Sequence, residues 1–302
     1  MRVRFSAREG AWDDWAPALR AACPEIDLRR EGDPAAFDAI IYAPGGDIAD
    51  FTPYRNARLV QSLWAGVERI VGNATLTQPL ARMVDPGLRQ GMAEYCVGWT
   101  MRAHLGMDRY AQDGVWRNGL VPPLAAERPV TVLGLGALGG AVAAMLTDLG
   151  FSVTGISASG RAMHGVRALP LERLDEGLAT AQILICLLPD TPGTRGLMDA
   201  RRLSLLPPGA WLINPGRGTL IDEAALLDRL AQDPDAHAVL DVFATEPLPP
   251  AHPFWAHPQV TVTPHIAAET RPATAAPVVA ENLRRAMAGR PLLNLVDRGR
   301  GY

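Results

Sequence analysis

Three side chains that could cooperate in acid–base chemistry follow three short apolar segments in the last third of the chain. Arg217 lies in NPGRGTLID, Glu246 in LDVFATEPLPP and His265 in TPHIAA. A guanidinium can pair with the carboxylate of a ligand, and an imidazole can exchange a proton near neutral pH. A carboxylate beside the imidazole favours its charged form. Each residue alone could be an ordinary loop or strand-capping residue, but the three together indicate a catalytic site.

The apolar segments before these residues belong to a longer series that begins at residue 130. Six strands are predicted, separated by helical patterns such as 139–149 and 222–232: VTVLGLG, SVTGIS, QILICLLP, AWLINPG, AVLDVF and VTVTPHI. Strands that alternate with helices predict a parallel sheet. Because the carboxyl ends of parallel strands lie at one edge, we expect Arg217, Glu246 and His265 to meet there.

A glycine-rich turn follows the first strand of this series. Gly134, Gly136 and Gly139 form a G-x-G-x-x-G pattern between an apolar strand and an alanine-rich helix. The first glycine permits a tight turn, the second lets the backbone approach a pyrophosphate, and the third allows the helix to pack closely on the strand. Backbone N–H groups near Ala137 and Leu138 would then face the phosphates. The strand–turn–helix context predicts a dinucleotide-binding site.

The segment after the second strand indicates which dinucleotide is bound. It reads VTGISASGRAMHG and contains no Asp or Glu between Phe151 and Arg161, where NAD-binding turns usually carry an acid. Ser157, Ser159 and Arg161 offer hydroxyls and a guanidinium, which suit a 2′-phosphate. The sequence predicts NADP(H) as the preferred cofactor and NAD(H) as the alternative. A solvated loop with an incidental arginine would also fit the pattern.

The first hundred residues show the same alternation of strands and helices. Strands are predicted at 3–6, 39–43, 59–63 and 69–72, and helices at 91–111 and, near the C-terminus, 273–288. A lone final helix cannot form a domain, so we expect it to pack on the first one. The predicted α/β fold has two doubly wound, Rossmann-like domains. A discontinuous, flavodoxin-like substrate domain comprises 1–99 plus 271–302, and the nucleotide-binding domain comprises 100–270 with an arm at about 100–128.

Composition and charge exclude several classes of protein. The 302 residues are 48% hydrophobic and 20% charged, and the net charge of −3 gives no reason to expect nucleic acid or an anionic membrane as partner. No apolar run approaches the ~18 residues that span a bilayer, and MRVRFSAREG lacks the apolar region of a signal peptide. Cys23, Cys96 and Cys186 are few and scattered, and neither CxxC nor HExxH occurs. We therefore expect a cytoplasmic protein without a metal.

Four motifs resemble those of the D-isomer-specific 2-hydroxyacid dehydrogenases: GLGALG, NPGRGTLID, LDVFATEPLP and TPHIAAETRP. The resemblance covers nearly the whole chain, and it is strongest to the glyoxylate/hydroxypyruvate reductases of that family through LWAGVERI, MAEY, PHIAAETRP and VDRGRGY. It implies the reduction of a small 2-oxo acid, such as glyoxylate to glycolate or hydroxypyruvate to D-glycerate. It also implies a homodimer clasped by the arm.

The resemblance further assigns roles to individual residues. Arg217 would hold the substrate carboxylate, His265 would be the acid/base, and Glu246 would orient and charge the histidine.

The resemblance also places candidate binding residues outside this set. Backbone N–H groups around Ala65 and Gly66 would hold the substrate carboxylate from the other side, with Trp64 as a candidate pocket residue. Asp241 would contact the nicotinamide carboxamide, and Pro189, at the end of the third strand segment, is a further candidate on the cofactor side.

Two other functions remain open at this point. One is a regulatory protein that senses a nucleotide on the same scaffold, since a fold does not fix a function. The other is a related dehydrogenase acting on a different 2-hydroxy or 2-oxo acid. Oxidation of NADPH with glyoxylate would separate the first from an enzyme, and a panel of 2-oxo acids would separate the second.

Overall fold

The computed structural model describes residues 1–110, 114–116, 118–119 and 121–302. These residues form two compact units, one of Met1–Leu88 and Glu269–Tyr302 and the other of Arg89–Ala268. The domain limits predicted from the sequence, at residues 99 and 270, lie further along the chain than the limits of these two units. They stay a prediction. None of the helices in the described residues is long and apolar enough to cross a membrane.

The chain begins with short strands and helices. Up to residue 105 they are β1 (Arg2–Ser6), α1 (Ala11–Ala22), β2 (Asp27–Arg29), β3 (Ala39–Tyr42), β4 (Val60–Ser62), α2 (Glu68–Val71), β5 (Leu80–Ala81) and α3 (Pro86–Leu105). The remaining elements are β6 (Pro129–Leu133), α4 (Ala137–Asp148), β7 (Ser152–Ser157), β8 (Arg167–Pro170), α5 (Leu174–Leu178), β9 (Ile183–Cys186), α6 (Ala200–Leu203), β10 (Trp211–Asn214), α7 (Glu223–Gln232), β11 (His237–Leu240), β12 (Val260–Val262) and α8 (Pro272–Met287).

The second unit is built on a seven-stranded sheet in the order β12-β11-β10-β9-β6-β7-β8, with every pair parallel. The chain winds from β6 to one side and then, through β9, to the other, which makes a doubly wound sheet with its switch point between β6 and β9. Successive strand residues alternate between two buried clusters: Val132 and Ile185 lie in one, Leu133 and Leu184 in the other. The predicted parallel sheet is confirmed.

The first unit carries a five-stranded parallel sheet in the order β2-β1-β3-β4-β5. This is the flavodoxin-like order of a doubly wound sheet, as predicted. The strand predicted at 69–72 is wrong, because Glu68–Val71 forms a single helical turn. A short apolar run does not by itself distinguish a turn of helix from a strand. Strands β2 and β5 were not predicted, because they have only three and two residues.

The last helix packs against the first one within this unit. Ala275, Val279 and Leu283 recur on one face of α8 and are fully buried in the cluster that also holds Leu19 of α1. Arg284 joins the two elements, since its Nη2 donates to the Ala22 carbonyl oxygen at 2.8 Å. Residues far apart in the chain therefore share one core.

Helix α3 begins five residues before its predicted start at 91. Asp85 caps it by accepting hydrogen bonds from Gly87 N–H at 2.9 Å and Leu88 N–H at 3.2 Å. Pro86 occupies the first helical position, where its missing N–H costs nothing. The helix stops at Gly106, whose φ of 61° lies in the left-handed region.

The predicted arm at about 100–128 is only partly described, since residues 111–113, 117 and 120 lie outside the described residues. Within the rest, several large apolar side chains are exposed. Trp116 is 91% exposed, Val121 81% and Leu124 74%.

Candidate active site

His265 and Glu246 form a hydrogen-bonded pair at the carboxyl edge of the seven-stranded sheet. His265 Nδ1 lies 2.8 Å from Glu246 Oε2. Glu246 follows β11 and His265 follows β12, and the two strands are neighbours, so their loops emerge side by side. Because an ionised carboxylate only accepts hydrogen bonds, Nδ1 carries the proton. The imidazole therefore keeps Nε2 as the nitrogen that can exchange a proton with a ligand.

The pair shifts the pKa of both partners in the directions expected for an ion pair. The hydrogen bond to Glu246 raises the pKa of His265, and burial opposes it. The negative charges of Glu246 and Asp241 also raise the His265 pKa, while Arg217 lowers it. Burial alone would raise the pKa of Glu246, but its hydrogen bonds from His265 and from the Phe243 N–H prevail and lower it. The imidazolium thus survives to a higher pH than in a free histidine.

Arg217 lies in the loop that follows β10. Asn214 is fully buried at the end of that strand and shapes the loop, since its Oδ1 accepts from Gly216 N–H at 3.1 Å and its Nδ2 donates to Arg217 O at 3.0 Å. The Arg217 guanidinium donates to Gly216 O at 2.6 Å. Its charge acts on both Glu246 and His265. The structure therefore brings together the cation, the carboxylate and the imidazole predicted from sequence.

Gly218 holds the Arg217 loop directly against the Glu246 loop. A Cβ at Gly218 would lie 1.9 Å from the carbonyl carbon of Phe243. The N–H of the same Phe243 donates to Glu246 Oε1 at 3.0 Å, which fixes the oxygen of Glu246 that does not contact His265. Only glycine permits this approach of the two backbones.

Asp241 holds the segment that carries His265. Its carboxylate accepts hydrogen bonds from Thr263 Oγ1 at 2.6 Å, Ile266 N–H at 2.9 Å and Ala267 N–H at 2.9 Å. Its carbonyl oxygen accepts from His265 N–H at 2.9 Å. The contact of Asp241 with a nicotinamide stays a prediction. In the structure, Asp241 instead hydrogen-bonds the residues on either side of His265 and so holds the loop that carries the histidine.

The glycine loop fits a dinucleotide pyrophosphate. Gly134 has a φ of 110°, and a Cβ at Gly139 would lie 1.7 Å from Gly134 O, so both positions require glycine for the protein's own packing. A Cβ at Gly136 would meet no protein atom within 4 Å, which is the room that a phosphate needs. Helix α4 starts at Ala137, and its first hydrogen bond is donated by Gly140 N–H to Gly136 O. The N–H groups of Ala137 and Leu138 lie in the turn before this donor, where a helix offers its N–H groups to a ligand.

The second predicted cofactor segment lies at the end of β7. Ser157 Oγ is buried and, among the described residues, has no hydrogen-bond partner. Arg161 N–H donates to Ser159 Oγ at 3.3 Å, so these two residues share one tight turn. The partnerless hydroxyl of Ser157 and the exposed Arg161, four residues further on, are donors of the kind that bind a phosphate group. Pro189 lies beyond β9, where its carbonyl oxygen accepts from Thr194 Oγ1 at 2.6 Å.

The candidate substrate residues Trp64, Ala65 and Gly66 lie in the first unit, directly after β4. Ser62 Oγ accepts from Trp64 N–H at 3.1 Å and lies 3.1 Å from Trp64 O. Met83 N–H donates to Trp64 O at 3.0 Å. Trp64 is 42% exposed. Hydrogen bonds to the backbone thus hold the loop, while the Trp64 side chain stays accessible.

The residues that position the predicted site residues were not evident from the sequence. Thr263 connects Asp241 to Tyr95, whose phenol oxygen lies 2.7 Å from Thr263 Oγ1. Tyr95 lies in the MAEY motif, but nothing in the motif indicates a partner 168 positions away. Among the described residues no group of histidine, cysteine, aspartate and glutamate side chains could hold a metal ion.

Comparison with known proteins shows which family this chain is similar to. The family model described as "D-isomer specific 2-hydroxyacid dehydrogenase, NAD binding domain" matches residues 98–267. A glyoxylate/hydroxypyruvate reductase A from Serratia proteamaculans is 37% identical, with 96% of each chain covered. A protein of the same description from Yersinia enterocolitica is 36% identical over 95% of this chain and 96% of its own.

Solved structures with the same architecture cover the whole chain. A D-isomer specific 2-hydroxyacid dehydrogenase from Xanthobacter autotrophicus, in complex with NADPH and MES, superposes with a TM-score of 0.93 at 41% identity, covering 100% of this chain and 99% of its own. An NADPH-dependent glyoxylate/hydroxypyruvate reductase from Sinorhizobium meliloti, in complex with NADP and sulfate, has a TM-score of 0.89 at 31% identity and the same coverage. The chain belongs to the D-isomer specific 2-hydroxyacid dehydrogenase family.

Proposed function

We propose that this enzyme reduces small 2-oxo acids, such as glyoxylate to glycolate and hydroxypyruvate to D-glycerate, with NADPH as the preferred reductant. The observation that carries the proposal is the 2.8 Å contact between His265 Nδ1 and Glu246 Oε2, within the electrostatic reach of Arg217. A relative described as a glyoxylate/hydroxypyruvate reductase, 37% identical along nearly the whole chain, supports the substrate class.

The residues divide the work as follows. Arg217 pairs with the substrate carboxylate and leaves the adjacent carbonyl facing the acid/base. NADPH, when bound, supplies the hydride that reduces the carbonyl carbon. His265 donates a proton from Nε2 to the carbonyl oxygen as negative charge develops there. Glu246 keeps His265 protonated before the reaction and orients the ring through Nδ1.

The first test replaces the groups of the site one at a time. His265→Ala should lower kcat by roughly 10²–10⁴-fold, the usual contribution of a general acid, while NADPH still binds. Arg217→Ala should chiefly raise KM for the oxo acid. The measurements are steady-state NADPH oxidation with glyoxylate and hydroxypyruvate, and fluorescence titration with NADPH. A His265→Ala enzyme with full activity would refute the assignment. A panel of larger 2-oxo acids, assayed alongside, defines the substrate range.

Cofactor choice depends on the end of β7. NADPH is bound by the Xanthobacter relative and NADP by the Sinorhizobium one, and the partnerless hydroxyl of Ser157 supports the predicted contact of this segment with a 2′-phosphate. Ser157→Asp should reduce kcat/KM for NADPH roughly ten- to a hundredfold, because a carboxylate repels the phosphate and the hydroxyl donor is lost. Activity with NADH should be retained or increased. Ser152→Asp, at the exposed start of the same strand, is the control and should change neither value.

We also propose that the enzyme is a cytoplasmic homodimer. The exposed apolar side chains in the described part of the arm support an interface there, and the three cysteines are unpaired and buried, as in a reducing compartment.

A further inference from the structure

A chain of hydroxyl groups links helix α3 to the segment that carries His265. The Tyr95 phenol oxygen lies 2.7 Å from Thr263 Oγ1, and Thr263 Oγ1 lies 2.6 Å from Asp241 Oδ1. A carboxylate accepts, so Thr263 must donate its single proton to Asp241. Tyr95 must then donate to Thr263. The direction of both hydrogen bonds is thus fixed: Tyr95 donates to Thr263, and Thr263 donates to Asp241.

This chain ends at a backbone that needs external support. His265 has a φ of 55°, in the left-handed region that side-chain-bearing residues avoid. The conformation is held by Asp241, which accepts from the N–H groups of Ile266 and Ala267 just beyond the histidine. Asp241 Oδ1 accepts from both Thr263 and Ile266, so Thr263 sets where that oxygen lies.

We propose that Tyr95 is a positioning residue for His265. Its hydroxyl fixes Thr263, Thr263 fixes the Asp241 carboxylate, and that carboxylate keeps the 263–267 segment in the conformation that aims Nδ1 of His265 at Glu246. The inference rests on the proposed role of His265 as the acid. A helix residue remote in sequence, acting through Thr263 and Asp241, thus sets the quality of the histidine–glutamate hydrogen bond.

The surroundings of Tyr95 make the hydroxyl separable from the ring. The ring packs edge-on against Trp99 with centroids 6.2 Å apart, a contact that phenylalanine preserves, whereas the hydrogen bond between the Trp99 side chain and the phenol is lost in Tyr95→Phe together with the one to Thr263. Burial raises the pKa of Tyr95, so the phenol stays protonated as the donor. The groups that act electrostatically on this site are the neighbouring Cys96 thiol and Asp241 at the phenol, and Glu246, Asp241 and Arg217 at the imidazole. Tyr95→Phe changes none of these charges.

The experiment compares Tyr95→Phe, Thr263→Val and the double variant with the parent enzyme across a pH series, with glyoxylate and NADPH. Tyr95→Phe should lower kcat roughly fivefold, the effect of about one hydrogen bond, with KM for NADPH unchanged. The high-pH limb of the kcat profile should move to lower pH, because a misaligned Nδ1 loses part of the support from Glu246. The double variant should be no slower than Thr263→Val alone, since both changes break the same chain. Thr263→Ser, which keeps a hydroxyl, should restore the parent profile.

A matched control separates positioning from loss of stability. Thr131→Val removes another buried hydroxyl of this unit, one that donates to Gly177 O at 3.0 Å, and should lower the melting temperature without moving the pH limb. A Tyr95→Phe profile that equals the parent or Thr131→Val would overturn the proposal, as would additive losses in the double variant. His265→Ala distinguishes the failures: if it is inactive while Tyr95→Phe is unchanged, only the role of Tyr95 is lost. If His265→Ala is active, the proposed function itself fails.

Discussion

Glu246 is the residue on which the electrostatics of the site depend. One of its carboxylate oxygens accepts from the backbone of Phe243 and the other from His265, so the side chain is fixed at both ends. Its side chain is 28% exposed and that of His265 55%, which leaves the imidazole open to a ligand while the carboxylate is largely covered. Partial burial strengthens the interaction between the two.

Replacement of Glu246 by glutamine should shift the pH dependence of reduction. In the proposed mechanism reduction requires the imidazolium, so the rate should fall as pH rises through the His265 pKa. Glu246 raises that pKa, and a neutral amide does not. Glu246→Gln should therefore move the upper limb of the kcat profile to lower pH, because the hydrogen bond and the negative charge that raise the His265 pKa are lost. Glu176→Gln, in an exposed pair with Arg173, is the control. An unchanged limb in Glu246→Gln would contradict the assignment.

The same pair couples pH to folding stability in opposite directions. The raised pKa of His265 contributes stability at low pH that is lost as pH rises through the folded value, and the lowered pKa of Glu246 contributes stability that is lost as pH falls through its own. The pair therefore stabilises the fold most between these two pKa values, where the charged forms coexist.

At the scale of elements, the loops that carry Arg217 and Glu246 touch each other through a glycine. Gly218 follows Arg217, and Phe243 belongs to the loop of Glu246. The parallel sheet brings these loops to the same edge, and the missing side chain at position 218 lets them make contact. Displacement of one loop must therefore move the other.

Gly218→Ala should test this coupling. The added methyl group would have to displace the Phe243 backbone, at a cost of roughly 1–3 kcal/mol in the free energy of unfolding. We expect a lower melting temperature by calorimetry and a lower kcat, because Phe243 N–H no longer holds Glu246. Gly193→Ala, where a Cβ would meet no atom within 4 Å, should leave both values unchanged. If Gly218→Ala matched Gly193→Ala, the contact between the loops would have no catalytic importance.

The site residues could be predicted from the sequence where a chemically functional side chain directly follows a recognisable strand. Arg217, Glu246 and His265 each follow a strand with a clear apolar pattern, so their common edge could be predicted. Tyr95 and Thr263 could not, because a tyrosine on a helix and a threonine in a strand ending are ordinary core residues until the fold makes them neighbours. The helical turn at Glu68–Val71 was wrongly predicted as a strand, because a short apolar run is too short to show a helical or strand periodicity.

At the scale of the whole molecule, the described part of the arm predicts how two copies would associate. Its exposed apolar side chains are unusual for a surface that remains in water. Trp116→Asp with Val121→Asp should weaken a dimer at least tenfold, since a carboxylate is costly to bury without a partner. Sedimentation velocity should then report the mass of a single 32.4 kDa chain at concentrations where the parent enzyme is expected to have twice that mass.

A control for this change lies outside the arm. Leu149, at the end of α4, is 48% exposed, and Leu149→Asp should leave the sedimentation of the enzyme unaltered. A parent enzyme that sediments as a monomer at every concentration, or a double variant that stays dimeric, would contradict the proposed association.

The packing of α8 on α1 has a consequence for synthesis on the ribosome. Val3 and Leu19 emerge early, but Val279 and Leu283, which complete their apolar cluster, leave the exit tunnel more than 250 residues later. The continuous stretch from Arg89 to Ala268 can form its sheet before α8 is synthesised. The N-terminal segment meanwhile keeps an exposed apolar surface, because α8 is not yet present to cover it. A nascent chain stalled before α8 should therefore recruit holding chaperones, and one stalled after it should release them.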